Sequence, residues 1–205
     1  MAQVTSGIRS ILSLSGVYAA FQNVLGAENL RRVLVESHMR PSDTDRVLDI
    51  GCGCGDILAH LPSLEYVGVD MSEAYVRTAR QRFCERGQFH VGNACDLGRI
   101  VGDDFTLIIA VGLLHHLDDT QARTLLGFAS SVLCSGGRLV TVDPCYADNQ
   151  CAIARYLISR DRGQNVRTAA EYCALAAGAF SSVAEHVRDD LLRIPYSHCI
   201  MECTA

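Results

Sequence analysis

Short apolar runs alternate along the chain with longer segments whose apolar residues recur at helical spacing. The apolar runs predict five strands, at 46–50, 65–70, 88–91, 104–111 and 139–143. The segments between them predict three helices, at 54–61, 73–86 and 119–133. A regular strand–helix alternation of this kind predicts a parallel sheet with right-handed crossovers and helices on both faces.

Both ends of the chain depart from this alternation. Residues 1–45 have helical spacing and predict an N-terminal helical cap before the first strand. Residues 144–178 contain a helical pattern around Tyr156 and a loop dense in charge, which we interpret as a lid insertion beside the mouth of a pocket. We expect residues 1–205 to form one domain with these two appendages.

The last part of the chain carries two local signals. Thr168 is followed three residues later by Glu171, which predicts a capping box for a helix over 169–177. The final two strands, at 183–187 and 197–203, are joined by a short connection and are expected to be antiparallel.

Composition narrows the classes of partner. The chain has 205 residues and a net charge of −5, with no run of five Lys or Arg, so a nucleic-acid partner is disfavoured and a small-molecule substrate is expected. The 10 cysteines come without a convincing secretory signal or spanning segment, which favours reduced thiols in the cytoplasm and no membrane span. The pairs Cys52/Cys54 and Cys199/Cys203 lack partners at zinc-site spacing, so no metal is expected. The sequence leaves the oligomeric state open.

A glycine turn follows the first strand and is the strongest chemical signal. Asp49 is followed by Gly51, Gly53 and Gly55, in the pattern D-x-G-x-G-x-G. The dinucleotide fingerprint G-x-G-x-x-G fails in both registers, since its third glycine would fall on an acid or on a leucine. An acid before the turn repels a pyrophosphate but suits a ligand that carries an ammonium group.

An acid at the end of the second strand adds to this signal. Asp70 lies at the carboxyl end of that strand, where a carboxylate accepts hydrogen bonds from ribose hydroxyls. The alternative is that Asp70 caps the helix that follows.

The glycine turn resembles motif I of the class I S-adenosylmethionine (SAM)-dependent methyltransferases. The pairs Val69-Asp70, Asn93-Ala94 and His115-His116 and the run 135–139 follow in the order and spacing of that family. The resemblance implies a Rossmann-like, doubly wound, seven-stranded, mostly parallel sheet whose last pair of strands is antiparallel. It also implies SAM as cofactor and is nearest to small bacterial enzymes that methylate small molecules, lipids or glycans.

The resemblance also implies a set of cofactor-binding residues. Asp49 would hold the amino group, Asp70 the ribose and Asn93 with Ala94 the adenine edge, with Asp96 as a rival to Asn93. In the N-terminal cap, the polar side chains of Tyr18 and Gln22 are candidates to cover the ligand. The complete expected set is Tyr18, Gln22, Asp49, Gly51, Cys52, Gly53, Asp70, Met71, Asn93, Ala94 and Val111.

Two histidines follow the fourth strand, where ligands of open α/β sheets lie. His115 and His116 are therefore candidates for proton removal from an acceptor, with a structural role for each left open. In the lid, Arg162 and Arg167 could bind a carboxylate or phosphate, or could simply form part of a solvated loop, and Tyr156 is a further candidate for substrate binding. The sequence predicts methyl transfer to a small molecule. The alternatives are other SAM chemistry, by cyclisation or aminocarboxypropyl transfer, and a non-catalytic SAM-binding partner.

Overall fold

A mixed β-sheet runs through the middle of the protein in the computed structural model, which describes residues 26–94, 97–99, 101–161 and 163–205. The strands lie in the order β3-β2-β1-β4-β5-β8-β7, and the two-residue β6 pairs with β5 beside this path. The strands are β1 (Arg46–Ile50), β2 (Glu65–Asp70), β3 (Gln88–Val91), β4 (Phe105–Val111), β5 (Leu133–Tyr146), β6 (Arg167–Thr168), β7 (Ser182–Arg188) and β8 (His198–Thr204). Strands β1 to β5 pair in parallel, whereas β8 is antiparallel to both β5 and β7, so the predicted antiparallel last pair is confirmed.

Helices cover both faces of this sheet. The α-helices are α1 (Ala27–Val33), α2 (Glu73–Arg82), α3 (Asp119–Val132), α4 (Ala152–Ser159) and α5 (Ala169–Ala176), and α1 continues as a π-helical segment (Leu34–Met39). On one face α3 and α5 pack against Leu48, Ile108 and Leu139, and on the other face α1 and α2 pack against Val47, Ile109 and Val140. Because its side chains are covered on both sides, β4 is apolar along most of its length, as parallel central strands are.

The described part of the predicted N-terminal cap has a structural role. Leu34 and Met39 are fully buried in the core layer that covers β1 and β5. Residues 26–39 therefore lie on the face of the sheet and not over the carboxyl ends of its strands, and residues 1–25 of the cap lie outside the described range.

Several predicted bounds were wrong: β5 begins at Leu133 and not at residue 139, and α2 ends at Arg82 and not at residue 86. The helix expected over 54–61 is a short 3₁₀ segment (Asp56–His60) that follows the glycine turn. Strand β5 does not stop before Pro144, because Pro144 pairs with His198 and the next residue, Cys145, donates its N–H to the Ser197 carbonyl at 3.0 Å. Pro144 has no N–H to donate, and the pairing of β5 with the neighbouring segment continues through the residues on either side of it.

The predicted lid insertion divides into two parts. α5 belongs to the body of the protein, since its Tyr172, Leu175 and Ala176 are buried in the core, and it begins at the predicted capping box of Thr168 and Glu171. The part over the strand ends is α4 with the loop that follows it, and the Asn165 N–H in this loop donates to the His115 carbonyl at 3.0 Å. Within the described residues, no helix is both long enough and apolar enough to cross a membrane.

Candidate functional site

A cavity of about 210 Å³ opens at the carboxyl ends of β1, β2 and β4. This is the point at which the strand order reverses, since β2 lies on one side of β1 and β4 on the other. The residues that line it are Ile50, Gly51, Val69, Asp70, Met71, Ser72, Tyr75, Gly92, Ala94, Gly112, Leu113 and His116.

The glycine turn lies at one edge of this cavity, where Gly51 lines it and Gly53 does not. Gly51 and Gly53 have φ of +81° and +54°, in the left-handed region that favours glycine. The Gly51 N–H donates to the Val69 carbonyl at 2.7 Å, which ties the turn to the end of β2. A Cβ at Gly53 would have no heavy atom within 4 Å, so the backbone there faces open space. The turn can therefore let a ligand approach the main chain closely.

Asp70 lies at the floor of the cavity with both carboxylate oxygens held by backbone donors. The Gly53 N–H donates to Oδ2 at 3.0 Å and the Ser72 N–H donates to Oδ1 at 2.8 Å. Burial raises the pKa of Asp70, although both hydrogen bonds oppose the rise. The N-cap of α2 is Ser72, whose Oγ accepts from the Tyr75 N–H, so Asp70 is not the cap that the alternative interpretation predicted.

Asp49 lies behind the cavity and does not line it. It is 3% exposed, and the Tyr66 hydroxyl donates to its Oδ2 at 2.6 Å. Burial raises the pKa of Asp49 to about 7; the hydrogen bond from Tyr66 lowers it, and the charge of Asp70 raises it further. This carboxyl group thus changes its charge close to neutral pH.

The other expected cofactor residues divide between the lining and its surroundings. Met71, which is 57% exposed, stands at the rim, and Ala94 is buried in the wall. Three more residues, Cys52, Asn93 and Val111, belong to adjoining segments but are not part of the lining. Tyr18, Gln22 and Asp96 lie outside the described residues.

The two histidines have different surroundings. His116 lines the cavity, whereas His115 lies behind it with the two ring centroids 4.1 Å apart. His115 bridges two carboxylates, with Nδ1 at 2.8 Å from Asp143 Oδ1 and Nε2 at 3.2 Å from Asp161 Oδ1. Burial by itself would lower the pKa of His115, but the hydrogen bonds and charges of Asp143 and Asp161 outweigh it and raise the pKa to about 9.

Asp161 joins the loop after α4 to the rest of this network. Its Oδ2 accepts from the Tyr196 hydroxyl at 2.5 Å, and its Oδ1 accepts from the Gly163 N–H at 2.8 Å. Burial would raise the pKa of Asp161, but His115 and these two donors hold it well below its usual range. Burial lowers the pKa of the neighbouring His198 to about 4, so that ring is neutral at physiological pH.

Sequence reasoning missed the roles of Asp143 and Asp161. Asp143 ends the predicted fifth strand, so an acid at the carboxyl end of a strand next to β4 was a usable signal. Asp161 had no such signal, because its partners His115 and Tyr196 lie 46 and 35 positions away in the sequence.

Two of the three lid residues expected to bind substrate are described, and they lie in different surroundings. Arg167 is 8% exposed, and its guanidinium donates to the carbonyls of Leu114, Leu117 and Asn165 and to the carboxylate of Asp119. The Arg167 guanidinium is thus already hydrogen-bonded within the protein. The sequence had instead predicted a contact between this guanidinium and a substrate anion. Tyr156 is 60% exposed on α4, with the Arg160 guanidinium 5.5 Å from its ring centroid, and Arg162 lies outside the described residues.

Comparison with known proteins finds relatives of the central part of the chain. Residues 47–137 match a family model described as a methyltransferase domain. The O-methyltransferase cnsE of Penicillium expansum is 31% identical over 161 residues, which cover 70% of this chain and 56% of that protein. The ribosomal RNA small subunit methyltransferase C of Vibrio vulnificus is 31% identical over 139 residues, which cover 64% of this chain and 39% of that protein.

The fold also matches solved structures. The pyocyanin biosynthetic protein PhzM superposes with a TM-score of 0.73 at 19% identity, over 98% of this chain and 62% of that one. At this level of identity the likeness is one of fold. The chain spans less than two thirds of the length of the first curated relatives it matches.

Proposed function

We propose that this chain is a class I SAM-dependent methyltransferase that transfers a methyl group from SAM to a small-molecule acceptor, supported by the match of residues 47–137 to a methyltransferase domain and by the fold. The observation that carries the proposal is the cavity at the carboxyl ends of β1, β2 and β4, with a glycine turn at its edge, a carboxylate at its floor and a histidine in its wall.

The cavity residues fit SAM. Asp70 offers carboxylate oxygens where a ribose diol can donate to them, and the open backbone at Gly53 leaves room beside the turn. Met71 and Ala94 provide apolar surface for an adenine ring. Asp49 lies behind the turn, and an ammonium group of the ligand nearby would favour its ionised form. When bound, SAM supplies a methyl carbon made electrophilic by the sulfonium centre.

The protein's own contribution is to orient the acceptor and to exclude water from the cavity. Correct positioning of two reactants is worth about 7–11 kcal/mol, so an acidic or strongly nucleophilic acceptor needs little more. A hydroxyl acceptor also needs a group that removes its proton.

His116 is the proposed base for such an acceptor, because it lines the cavity. His115 is instead a positioning residue. Its pKa of about 9 keeps it protonated at neutral pH, and its Nε2 faces Asp161 rather than the cavity. Its ring packs against the His116 ring at a tilt of 38°, and its backbone N–H and its Nδ1, both within hydrogen-bond distance of Asp143, hold the 3₁₀ turn that carries both histidines.

A small acceptor is favoured over nucleic acid by the net charge of −5. The name of the relative cnsE supports an oxygen acceptor. A cytoplasmic location is part of the proposal and is supported by the nine free cysteines among the described residues.

The first test measures SAM binding by calorimetry in the wild type and in Asp70→Asn. The substitution removes the negative charge next to the ribose site, and we expect the dissociation constant for SAM to rise more than tenfold. Glu65→Gln, at an exposed position on the other end of β2, is the matched control and should bind as the wild type does. An unchanged dissociation constant in Asp70→Asn would reject the ribose assignment.

The second test identifies the product. A screen of metabolite pools with methyl-labelled SAM should give a labelled small molecule together with S-adenosylhomocysteine. Formation of methylthioadenosine instead would favour the alternative SAM chemistry, and SAM binding without any product would favour the non-catalytic partner. In the same assay His116→Gln should lower kcat for a hydroxyl acceptor while the dissociation constant for SAM stays within about threefold.

A further inference from the structure

A second cluster of chemically active side chains lies away from the cavity, on the sheet face that α1 covers. His38 Nδ1 is 2.8 Å from Glu202 Oε1, and His186 Nε2 is 3.6 Å from the same oxygen. One ligand atom from each of the three residues lies within 4.8 Å of the others. We refer to these three residues as the His–His–Glu cluster.

The fold itself brings these side chains together. Glu202 on β8 pairs with Ala184 on β7, so His186, two residues further along β7, projects from the same face of the hairpin. His38 reaches the hairpin from the end of the π-helical segment. Because two of the three residues lie on paired strands, their spacing is set by the sheet and not by a loop.

We propose that the His–His–Glu cluster binds one divalent transition-metal ion, with zinc as the preferred occupant. Two imidazoles and one carboxylate form a donor set that zinc takes in proteins, with a fourth position left for water. A tetrahedral ion with bonds of about 2.0–2.2 Å holds its ligand atoms roughly 3.4 Å apart. The observed separation of 3.6 Å between His186 and Glu202 already fits this value, and the His38–Glu202 pair has to open by only about 0.6 Å from 2.8 Å.

The burial of the three side chains favours binding. The His38 and Glu202 side chains are 7% and 17% exposed, whereas the His186 side chain is 47% exposed and leaves a path to solvent. Among the residues that the structure describes, Nε2 of His38 has no hydrogen-bond partner. Because Nδ1 donates to the Glu202 carboxylate at 2.8 Å, it carries the proton that a bound ion has to displace, and the ring can then keep a proton on Nε2.

Arg40 sets the geometry of the carboxylate and also limits the affinity. Its guanidinium is 2.5 Å from Glu202 Oε2, which leaves Oε1 to face the two histidines as a single ligand oxygen. Outer contacts of this kind orient metal ligands. The positive charge opposes a second cation nearby, but the Arg40 side chain is 53% exposed and is screened by water. The competing explanation is an ion-pair network of His38, Arg40 and Glu202 that takes no metal.

A bound ion would join segments that are far apart in sequence, since its ligands lie at positions 38, 186 and 202. It would tie the N-terminal helix to the C-terminal hairpin, on a different part of the sheet from the SAM cavity. The expected effect is therefore on stability, not on methyl transfer.

The test compares Co²⁺ and Zn²⁺ binding in the wild type, in His186→Gln and in His90→Gln. His186 is half exposed on an outer strand, so its substitution should leave the fold intact, and His90→Gln on β3 removes one histidine elsewhere. We expect one ion per chain in the wild type, an affinity at least tenfold weaker in His186→Gln and no change in His90→Gln.

The spectrum of the Co²⁺ complex separates this site from the many cysteines, because only thiolate ligands give an intense sulfur-to-metal charge-transfer band. Zn²⁺ should also raise the Tm of the wild type, and this rise should be lost in His186→Gln. The proposal is overturned by a wild-type protein that binds no ion, by equal affinity in His186→Gln, or by a thiolate spectrum. SAM binding to His186→Gln should be unchanged, so failure of the metal proposal would leave the proposed function untouched.

Discussion

At the scale of single residues, Asp49 is held in surroundings that oppose its charge. Its pKa rises from 3.8 to about 7 because the carboxyl group is buried and lies near Asp70. The folded state therefore binds this proton more tightly than the unfolded state does. Stability from this group is greatest at low pH and falls as the pH rises from 3.8 through about 7. A shift of this size corresponds to an upper limit of about 4 kcal/mol above neutral pH.

Asp49→Asn should remove this pH dependence while keeping the hydrogen bond from Tyr66. Urea unfolding at pH 5 and pH 8 should show a smaller loss of stability in the variant than in the wild type. Calorimetry should show weaker SAM binding, since the negative charge behind the turn is gone. Tyr66→Phe is the complementary variant: it removes a hydrogen bond that lowers the pKa of Asp49, so its loss of stability should extend to higher pH. Equal pH dependence in the wild type and Asp49→Asn would contradict this account.

At the scale of elements, local signals account for most of what the sequence predicts correctly. The predicted bounds of β1, β2 and β3 match the structure, because each strand is a short apolar run next to a turn or a helix start. The capping box at Thr168 is confirmed for the same reason, since both partners lie within one helical turn. The antiparallel last pair of strands is confirmed as well, and residues 47–137 match a methyltransferase domain.

At the candidate site, local sequence signals predicted some of the lining residues but not the partners of the charged side chains. Gly51, Asp70 and His116 were predicted to share a site, and they line one cavity, since all three follow the ends of neighbouring parallel strands. Their roles toward SAM stay predictions. Charged residues were harder to assign because their partners come from distant segments, as for Asp161. In the sequence, Arg167 cannot be told apart from an arginine that binds substrate. Only the fold shows that its guanidinium donates to three backbone carbonyls.

Arg167→Gln should destabilise the fold instead of weakening substrate binding. The guanidinium joins β6 to the 3₁₀ turn that carries the two histidines, and its loss leaves buried carbonyls without a donor. We expect a loss of roughly 3 kcal/mol in the free energy of unfolding by urea titration. Asp119→Asn is the control, because that carboxylate is 70% exposed and its ion pair should contribute less than about 1 kcal/mol. A fully stable Arg167→Gln with a raised KM for the acceptor would instead support the substrate contact.

At the scale of the whole molecule, one charged network ties the loop after α4 to the ends of β4, β5 and β8. His115 follows β4, Asp143 lies in β5, Asp161 begins the loop and Tyr196 precedes β8. A Cβ at Gly163 would overlap the His115 ring, so glycine is required where the loop packs against it. These contacts hold Asp161, Gly163 and Asn165 of the loop against the rest of the protein, and their strength therefore depends on the charges in the network.

The pKa shifts of His115 and Asp161 set the pH range over which these contacts hold the loop. The raised pKa of His115 means that its contribution is fully present below its ordinary pKa of 6.5 and is lost as the pH rises through about 9. The lowered pKa of Asp161 means that its contribution is present above 3.8 and is lost as the pH falls further below that value. The loop should therefore be held most firmly between about pH 4 and pH 6.5.

Asp161→Asn should loosen the loop by removing one of the two charges that face His115. The pKa of His115, followed by the NMR signals of its imidazole ring, should fall toward 6.5. Amide hydrogen exchange at Gly163 and Asn165 should be faster than in the wild type at pH 6, since both N–H groups donate within this network.

The pH dependence and a control variant test the same explanation. As the pH passes 9, the exchange rate of the wild type, corrected for intrinsic exchange, should approach that of Asp161→Asn. Asp148→Asn, at an exposed position before α4, should behave as the wild type. If exchange at Gly163 and Asn165 were the same in both proteins at pH 6, the loop would have to be held by packing alone, and the charge of His115 would have no part in holding it.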